Sequence, residues 1–143
     1  MQNYVFLWAM QTIWDPLRKK DVALTPEEEV RQACISLLLS KGVPVTHAMS
    51  EVVMDYGQKR FRADIVVYDR KLHPLLVVEC KRPDVTINAA TVRQALMYHA
   101  VLDISYIVLT NGKSIYIYGR NAEGVFEPMK EFPDYETLLK CRL

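Results

Sequence analysis

Asp64, Glu79 and Lys81 are the residues of this sequence whose types and spacing suit phosphodiester chemistry. Two carboxylates and an ammonium group so far apart in the chain act together only if folding joins their segments. Phe61 to Tyr68 and Leu75 to Lys81 are rich in Val, Ile and Leu, and a polar loop from Asp69 to Pro74 joins them. They read as the strands of an antiparallel hairpin. Opposed residue numbers in such a pair have a constant sum. With Tyr68 opposite Leu75, Asp64 falls opposite Glu79, their Cα atoms about 4.5–5.5 Å apart, and Arg62 falls opposite Lys81. Side chains alternate along a strand, so Lys81 shares the face of Glu79. The other face, Phe61, Ala63, Ile65 and Val67 with Leu76, Val78 and Cys80, is wholly apolar and reads as core. Charge is thereby confined to one face and one end of the hairpin.

Carboxylates opposed without a mediator are unfavourable. A divalent cation resolves the conflict, because Mg²⁺ takes carboxylate and carbonyl oxygens and retains several waters. Asp64, Glu79 and the backbone carbonyl of Cys80 form one candidate ligand set for Mg²⁺ or Mn²⁺. Lys81 would orient the water attacking a phosphodiester or stabilise charge developing on phosphorus. The competing reading is a solvated strand end at which Glu79 and Lys81 merely pair. With 17 acidic residues such a spacing also arises by chance. The register and the apolar run Leu75-Leu76-Val77-Val78 that delivers Glu79 favour the site.

Thr25-Pro26-Glu27-Glu28 announces the helix that precedes this hairpin: Thr25 suits the N-cap, Pro26 the first helical position, and Glu28 the third residue of a capping box. Val30, Cys34, Leu37 and Leu38 give it one apolar face, and Gly42 suits its C′ position. A strand from Glu51 to Tyr56 follows. Beyond the hairpin come a helix from about Thr91 to Leu102, strands Ser105 to Thr110 and Ser114 to Tyr118 around the turn Asn111-Gly112, and a last amphipathic turn from Asp134 to Leu139. The order α-β-β-β-α-β-β-α indicates an α/β fold, one mixed sheet of about five strands flanked by helices.

Length and composition agree with one domain spanning residues 1–143: an extension or edge strand at 1–14, a core at 15–120 and an appendage at 121–143. Half the residues are apolar, 24% are charged, and the net charge is +1, which excludes a histone-like polycation or an acidic tail but not a local basic patch. No phosphate-binding G-x-x-x-x-G-K-[ST] loop is present, so any motor is another chain. Cys34, Cys80 and Cys141 show no C-x-x-C spacing, and His47, His73 and His99 are scattered, which speaks against zinc and for a reducing, cytoplasmic setting. The apolar run from Tyr4 to Met10 is too short to span a membrane and lacks the flanks of a signal peptide. It reads as an edge strand, a homodimer contact or an extension from an upstream start codon.

Asp64 with Glu79-Cys80-Lys81 resembles the PD-(D/E)xK nuclease signature, Ala63 standing in place of its variable proline. A wider ordered series, Asp15-Pro16-Leu17-Arg18, Thr25-Pro26-Glu27-Glu28-Glu29-Val30-Arg31-Gln32, Arg62-Ala63-Asp64, Val78-Glu79-Cys80-Lys81-Arg82-Pro83, Gln94-Ala95-Leu96-Met97-Tyr98 and Thr110-Asn111-Gly112, resembles small stand-alone proteins similar to the N-terminal nuclease domain of type I restriction enzyme R subunits. The resemblance covers roughly residues 12 to 120. It implies a restriction-endonuclease-like sheet, metal ligation by Asp64 and Glu79, and Lys81 as the catalytic lysine. It further implies support through water from Glu27 or Glu28. Glu27 shares the face of Val30 and Cys34, whereas capping would occupy Glu28. Gln94 and Tyr98, one turn apart, would border the site and contact substrate. Lys59, Arg60, Arg62 and Arg82 suit phosphate binding without sequence reading, while Arg18-Lys19-Lys20 reads as a solvated loop. The implied substrate is DNA, and the implied partners are motor and specificity chains that this sequence does not encode. The rival expectation is a catalytically inactive nucleic-acid-binding or assembly module on the same scaffold.

Overall fold

The computed structural model describes residues 11–140. The apolar run at 4–10, with the edge strand, homodimer contact or extension expected there, and Cys141 lie outside the described residues. The chain opens with a two-stranded hairpin, β1 (Thr12–Asp15) and β2 (Lys20–Ala23), and continues through α1 (Pro26–Ser40), a short 3₁₀ turn (Val45–His47), β3 (Ala48–Tyr56), β4 (Lys59–Tyr68), β5 (Pro74–Cys80), α2 (Ala89–His99), β6 (Tyr106–Thr110), β7 (Ile115–Arg120), β8 (Phe126–Pro128) and α3 (Tyr135–Lys140). Strands β3 to β8 form one six-stranded mixed sheet in sequence order, so the expected sheet gains one strand, β8. The β1–β2 hairpin was not expected either. Its strands are four residues each and carry little periodicity, although Asp15-Pro16 is a strong turn opening.

Local chemistry sets the boundaries. The Glu28 amide donates to the Thr25 hydroxyl at 3.1 Å, and Asn88 caps α2 in the same way through the Thr91 amide. This second cap starts α2 two residues before the expected Thr91. Gly42 takes φ +90 past the end of α1. In the β6–β7 turn, the Asn111 side chain accepts from the Lys113 and Ser114 amides while Gly112 takes φ +86.

All ladders are antiparallel except β5–β6, and α2 supplies the crossover that a parallel pair needs. Strand β5 is central and covered on both faces, which is why Leu75 to Val78 are uniformly apolar and fully buried. One core packs Cys34, Ile35 and Leu38 of α1 and Tyr135 and Leu138 of α3 against Ile65, Val67, Leu76, Val78 and Val108. The other joins Phe61, Ala63, Val66, Val77 and Ile107 to Leu102 and Ile104, with Leu96 of α2 against it.

These two cores correct the expected hairpin faces. Phe61 and Ala63 belong to one core, Ile65 and Val67 to the other, so β4 exchanges faces between Ala63 and Ile65. Its neighbour β3 does the same: Ala48 packs with the α1 core, Val52 and Met54 with the α2 core. The exchange falls at Glu51, whose φ of +54 lies in the left-handed region, and the ladder pairs Ser50 with Ile65 and Val52 with Ala63 but not Glu51 with Asp64. Charge therefore gathers at one end of the hairpin, as expected, but not on one face, since both faces are buried farther along.

Candidate active site

The β4–β5 register is the expected one over its core: Ile65, Val66 and Val67 pair with Val78, Val77 and Leu76. A register shift after Val67 pairs Tyr68 with Pro74 rather than Leu75. At the other end the ladder stops at Ile65–Val78, short of Asp64 and Glu79. There the Asp64 carboxylate takes over, accepting the Cys80 amide on Oδ2 at 2.6 Å. The strands part around this bond, and a cleft of about 640 Å³ opens, lined among others by Glu51, Asp64, Glu79 and Lys81, with Arg31, Arg62 and Tyr98. Parallel pairing of β5 with β6 carries Glu79, Cys80 and Lys81 to the carboxyl end of a central strand, where open α/β sheets commonly bind ligands.

Glu79 lies with its Oε2 3.4 Å from Lys81 Nζ and its Oε1 3.9 Å from Nε2 of His99, a fully buried residue of α2. The His99 ring and then the Lys81 ammonium hold the Glu79 carboxyl below its ordinary range, against the opposing effect of burial. Burial pushes Asp64 the other way, above its ordinary range, with Glu79 and Glu27 adding to the rise and the Cys80 amide and Arg31 moderating it. Environments that separate two neighbouring carboxyls in this way are frequent at catalytic sites.

Behind Asp64 lies a chain of ion pairs that sequence reasoning missed. Arg31 of α1 places Nη2 3.6 Å from Asp64 Oδ1 and Nη1 3.1 Å from Glu51. Glu28 receives the Arg18 guanidinium at 2.7 Å and the Gln32 amide at 3.1 Å. Arg18 in turn pairs with the buried Asp15. The β1–β2 hairpin thus anchors α1 through one arginine, and Arg18 belongs to this network rather than to a solvated loop. The sequence held a signal for it, since Asp15, Arg18, Arg31 and Gln32 all belong to the ordered series that carried the resemblance.

Of the sequence-predicted residues, the fold brings Asp64, Glu79, Cys80, Lys81, Arg62 and Tyr98 to one cleft. The Arg62 amide donates to the Tyr98 hydroxyl at 3.1 Å, tying α2 to β4. Lys59 and Arg60 line an adjoining hollow with Tyr98, and Arg60 pairs with Asp55. Arg82 is exposed and pairs with Asp84, and Gln94 is exposed; neither lines the cleft. The expectation for the two helix-start acids reverses. Glu28 is buried and gripped by Arg18 and Gln32, whereas Glu27 is exposed and reaches Asp64 only through its charge.

The donors suit a hard cation. Asp64 keeps Oδ1 free of hydrogen bonds among the described residues, and Glu79 faces the same cleft. No group of three His, Cys, Asp or Glu side chains able to hold a metal forms among the described residues. That donor set is not the closed kind of a structural zinc site, but Mg²⁺ is commonly held by one or two carboxylates, waters and substrate phosphate.

Sheet, crossover helix and cleft define a mixed α/β protein of the restriction-endonuclease-like class. The family described as type I restriction enzyme R protein N terminus (HSDR_N) matches residues 26–133, and the chain belongs to it. Among solved structures, a fragment described as the HsdR subunit of a type I restriction enzyme from Vibrio vulnificus YJ016 matches with a TM-score of 0.60 and 21% identity over 81% of this chain. The match spans 25% of that protein's chain, and the likeness is one of fold. No curated protein matches the sequence. No helix among the described residues is long and apolar enough to cross a membrane.

Proposed function

We propose that the chain is a metal-dependent phosphodiester hydrolase acting on DNA in the cytoplasm, with Mg²⁺ or Mn²⁺ as its cofactor. The observation that carries this reading is the meeting of Asp64, Glu79 and Lys81 in one open cleft beside the cationic Arg62. When bound, the cation would polarise the phosphoryl group and the attacking water. Asp64 and Glu79 would hold it, with the Cys80 carbonyl as a further oxygen donor. Lys81, kept near Glu79, stabilises charge developing on phosphorus or orients the water. Arg62, Lys59 and Arg60 bind phosphates without reading bases, and Tyr98 shapes the cleft wall. Motor and specificity chains, or a second copy of this chain, are the proposed partners.

The test is incubation with plasmid and single-stranded DNA plus Mg²⁺ or Mn²⁺, comparing the wild type with Lys81→Met. Metal-dependent nicking that disappears in the variant, with folding and DNA affinity intact, is the expected result. Cleavage unchanged in the variant removes the role of Lys81. Salt-sensitive DNA binding with no cleavage product under any metal selects the inactive binding module instead.

A further inference from the structure

Arg31 stands where an external cation would also have to act. Its guanidinium lies between Asp64 Oδ1 at 3.6 Å and Glu51 at 3.1 Å, with Glu28 at 3.5 Å. The three contacts are unequal. The one to Asp64 is beyond hydrogen-bond range and is therefore Coulombic, whereas Glu51 accepts a hydrogen bond. Asp64 Oδ2 is fixed by the Cys80 amide, so Oδ1, the oxygen left for a cation, is the one facing Arg31.

Glu51 is held in this position by an unusual backbone. It is a glutamate at φ +54 inside a strand, where left-handed geometry crowds the Cβ against the backbone and is disfavoured. Left-handed residues of this kind cluster at functional sites. The strain coincides with the face exchange of β3 and β4, which brings Glu51 and Asp64 to the same guanidinium. Among the ionic side chains lining the cleft, Glu51, Asp64 and Glu79 balance Arg31, Arg62 and Lys81.

We infer that Arg31 is an internal counter-cation that competes with a divalent ion for Asp64 and so weakens metal binding by the free protein. On metal entry, Asp64 Oδ1 exchanges the guanidinium for the ion, and Arg31 stays on Glu51 and Glu28. Glu51 is thus a positioning residue that receives the displaced charge. The inference rests on reading Asp64 and Glu79 as a cation site.

The experiment titrates Mn²⁺ into the DNA-free protein and follows the loss of the free Mn²⁺ signal by electron paramagnetic resonance. Arg31→Gln should tighten Mn²⁺ binding about tenfold, because it removes a unit charge in direct contact with the ligand carboxylate. Arg62→Gln removes a charge from the same cleft without that contact and should shift affinity less than about twofold, as expected of an exposed, solvent-screened group. If Arg31→Gln does not fold, Arg31→Met, which also removes the charge but keeps a long unbranched side chain for packing, carries the test, and the same tightening of about tenfold is expected. Mn²⁺ affinity unchanged by either Arg31 variant, or shifted equally by Arg31→Gln and Arg62→Gln, overturns the competition while leaving the cation site standing. Absence of Mn²⁺ binding in both the wild type and the Arg31 variant overturns the site and the inference together.

Discussion

The Asp64 carboxylate accepts the Cys80 amide at 2.6 Å, one step beyond the last backbone rung between β4 and β5. A side chain thus closes the strand pair where the ladder ends, and the same residue turns its second oxygen into the cleft. On the function proposed above, one carboxylate serves both structure and chemistry, divided between its two oxygens.

That division separates two substitutions. Asp64→Asn keeps an oxygen that accepts the Cys80 amide, whereas Asp64→Ala leaves that half-buried donor without its partner. The alanine variant should lose about 1–2 kcal/mol of stability and the asparagine variant distinctly less. Both should lose metal-dependent cleavage. Urea denaturation midpoints set beside nicking assays check the pair.

Asp15 provides a pH-dependent anchor. Burial alone would raise its carboxyl, but hydrogen bonds from the Arg18 side chain and from the Arg18 and Leu17 amides outweigh it and hold the group below the ordinary carboxylate range. A carboxyl lowered in the folded state contributes stability above its unfolded value, and that contribution is lost as pH falls through the folded value. Asp15→Asn should therefore cost about 2–3 kcal/mol at neutral pH, because it leaves the guanidinium of Arg18 short of one partner. The gap between wild type and variant should narrow progressively as pH falls below the ordinary aspartate value towards the lowered folded one. Thermal melts across the acid range measure it, and a gap that stays constant would contradict the assignment.

Gly112 links the β6–β7 turn to α1. At φ +86, a Cβ there would sit 3.2 Å from Val30 Cγ2. Gly112→Ala should cost about 1–2 kcal/mol through left-handed strain, with a further share from crowding Val30. Since Val30 lies on the helix that carries Glu28 and Arg31, the variant should also alter Mn²⁺ affinity, which the same titration reads.

Much of this arrangement was legible along the chain. The Thr25 cap, the Asn111-Gly112 turn and the central strand Leu75 to Val78 follow from short-range rules that tertiary packing did not overturn. The pairing of Asp64 with the Glu79 segment was legible because side-chain alternation and a short connecting loop leave few registers open. Gln94 and Arg82 were drawn to the site by their places in a motif, yet packing leaves both outside the cleft lining. The β1–β2 hairpin is not legible in the sequence, because four-residue strands carry little periodicity.

The sequence alone determined which residues could do chemistry and which strand end would carry them, since hydrophobic period and turn type act between near neighbours. Only the tertiary structure decided the left-handed turn of Glu51, the exchange of faces at Asp64 and the ionic chain from Asp15 through Arg18, Glu28 and Arg31. Those features join positions far apart in the chain, and the energies that hold them exist only once helix, hairpin and sheet exclude water from the charges between them.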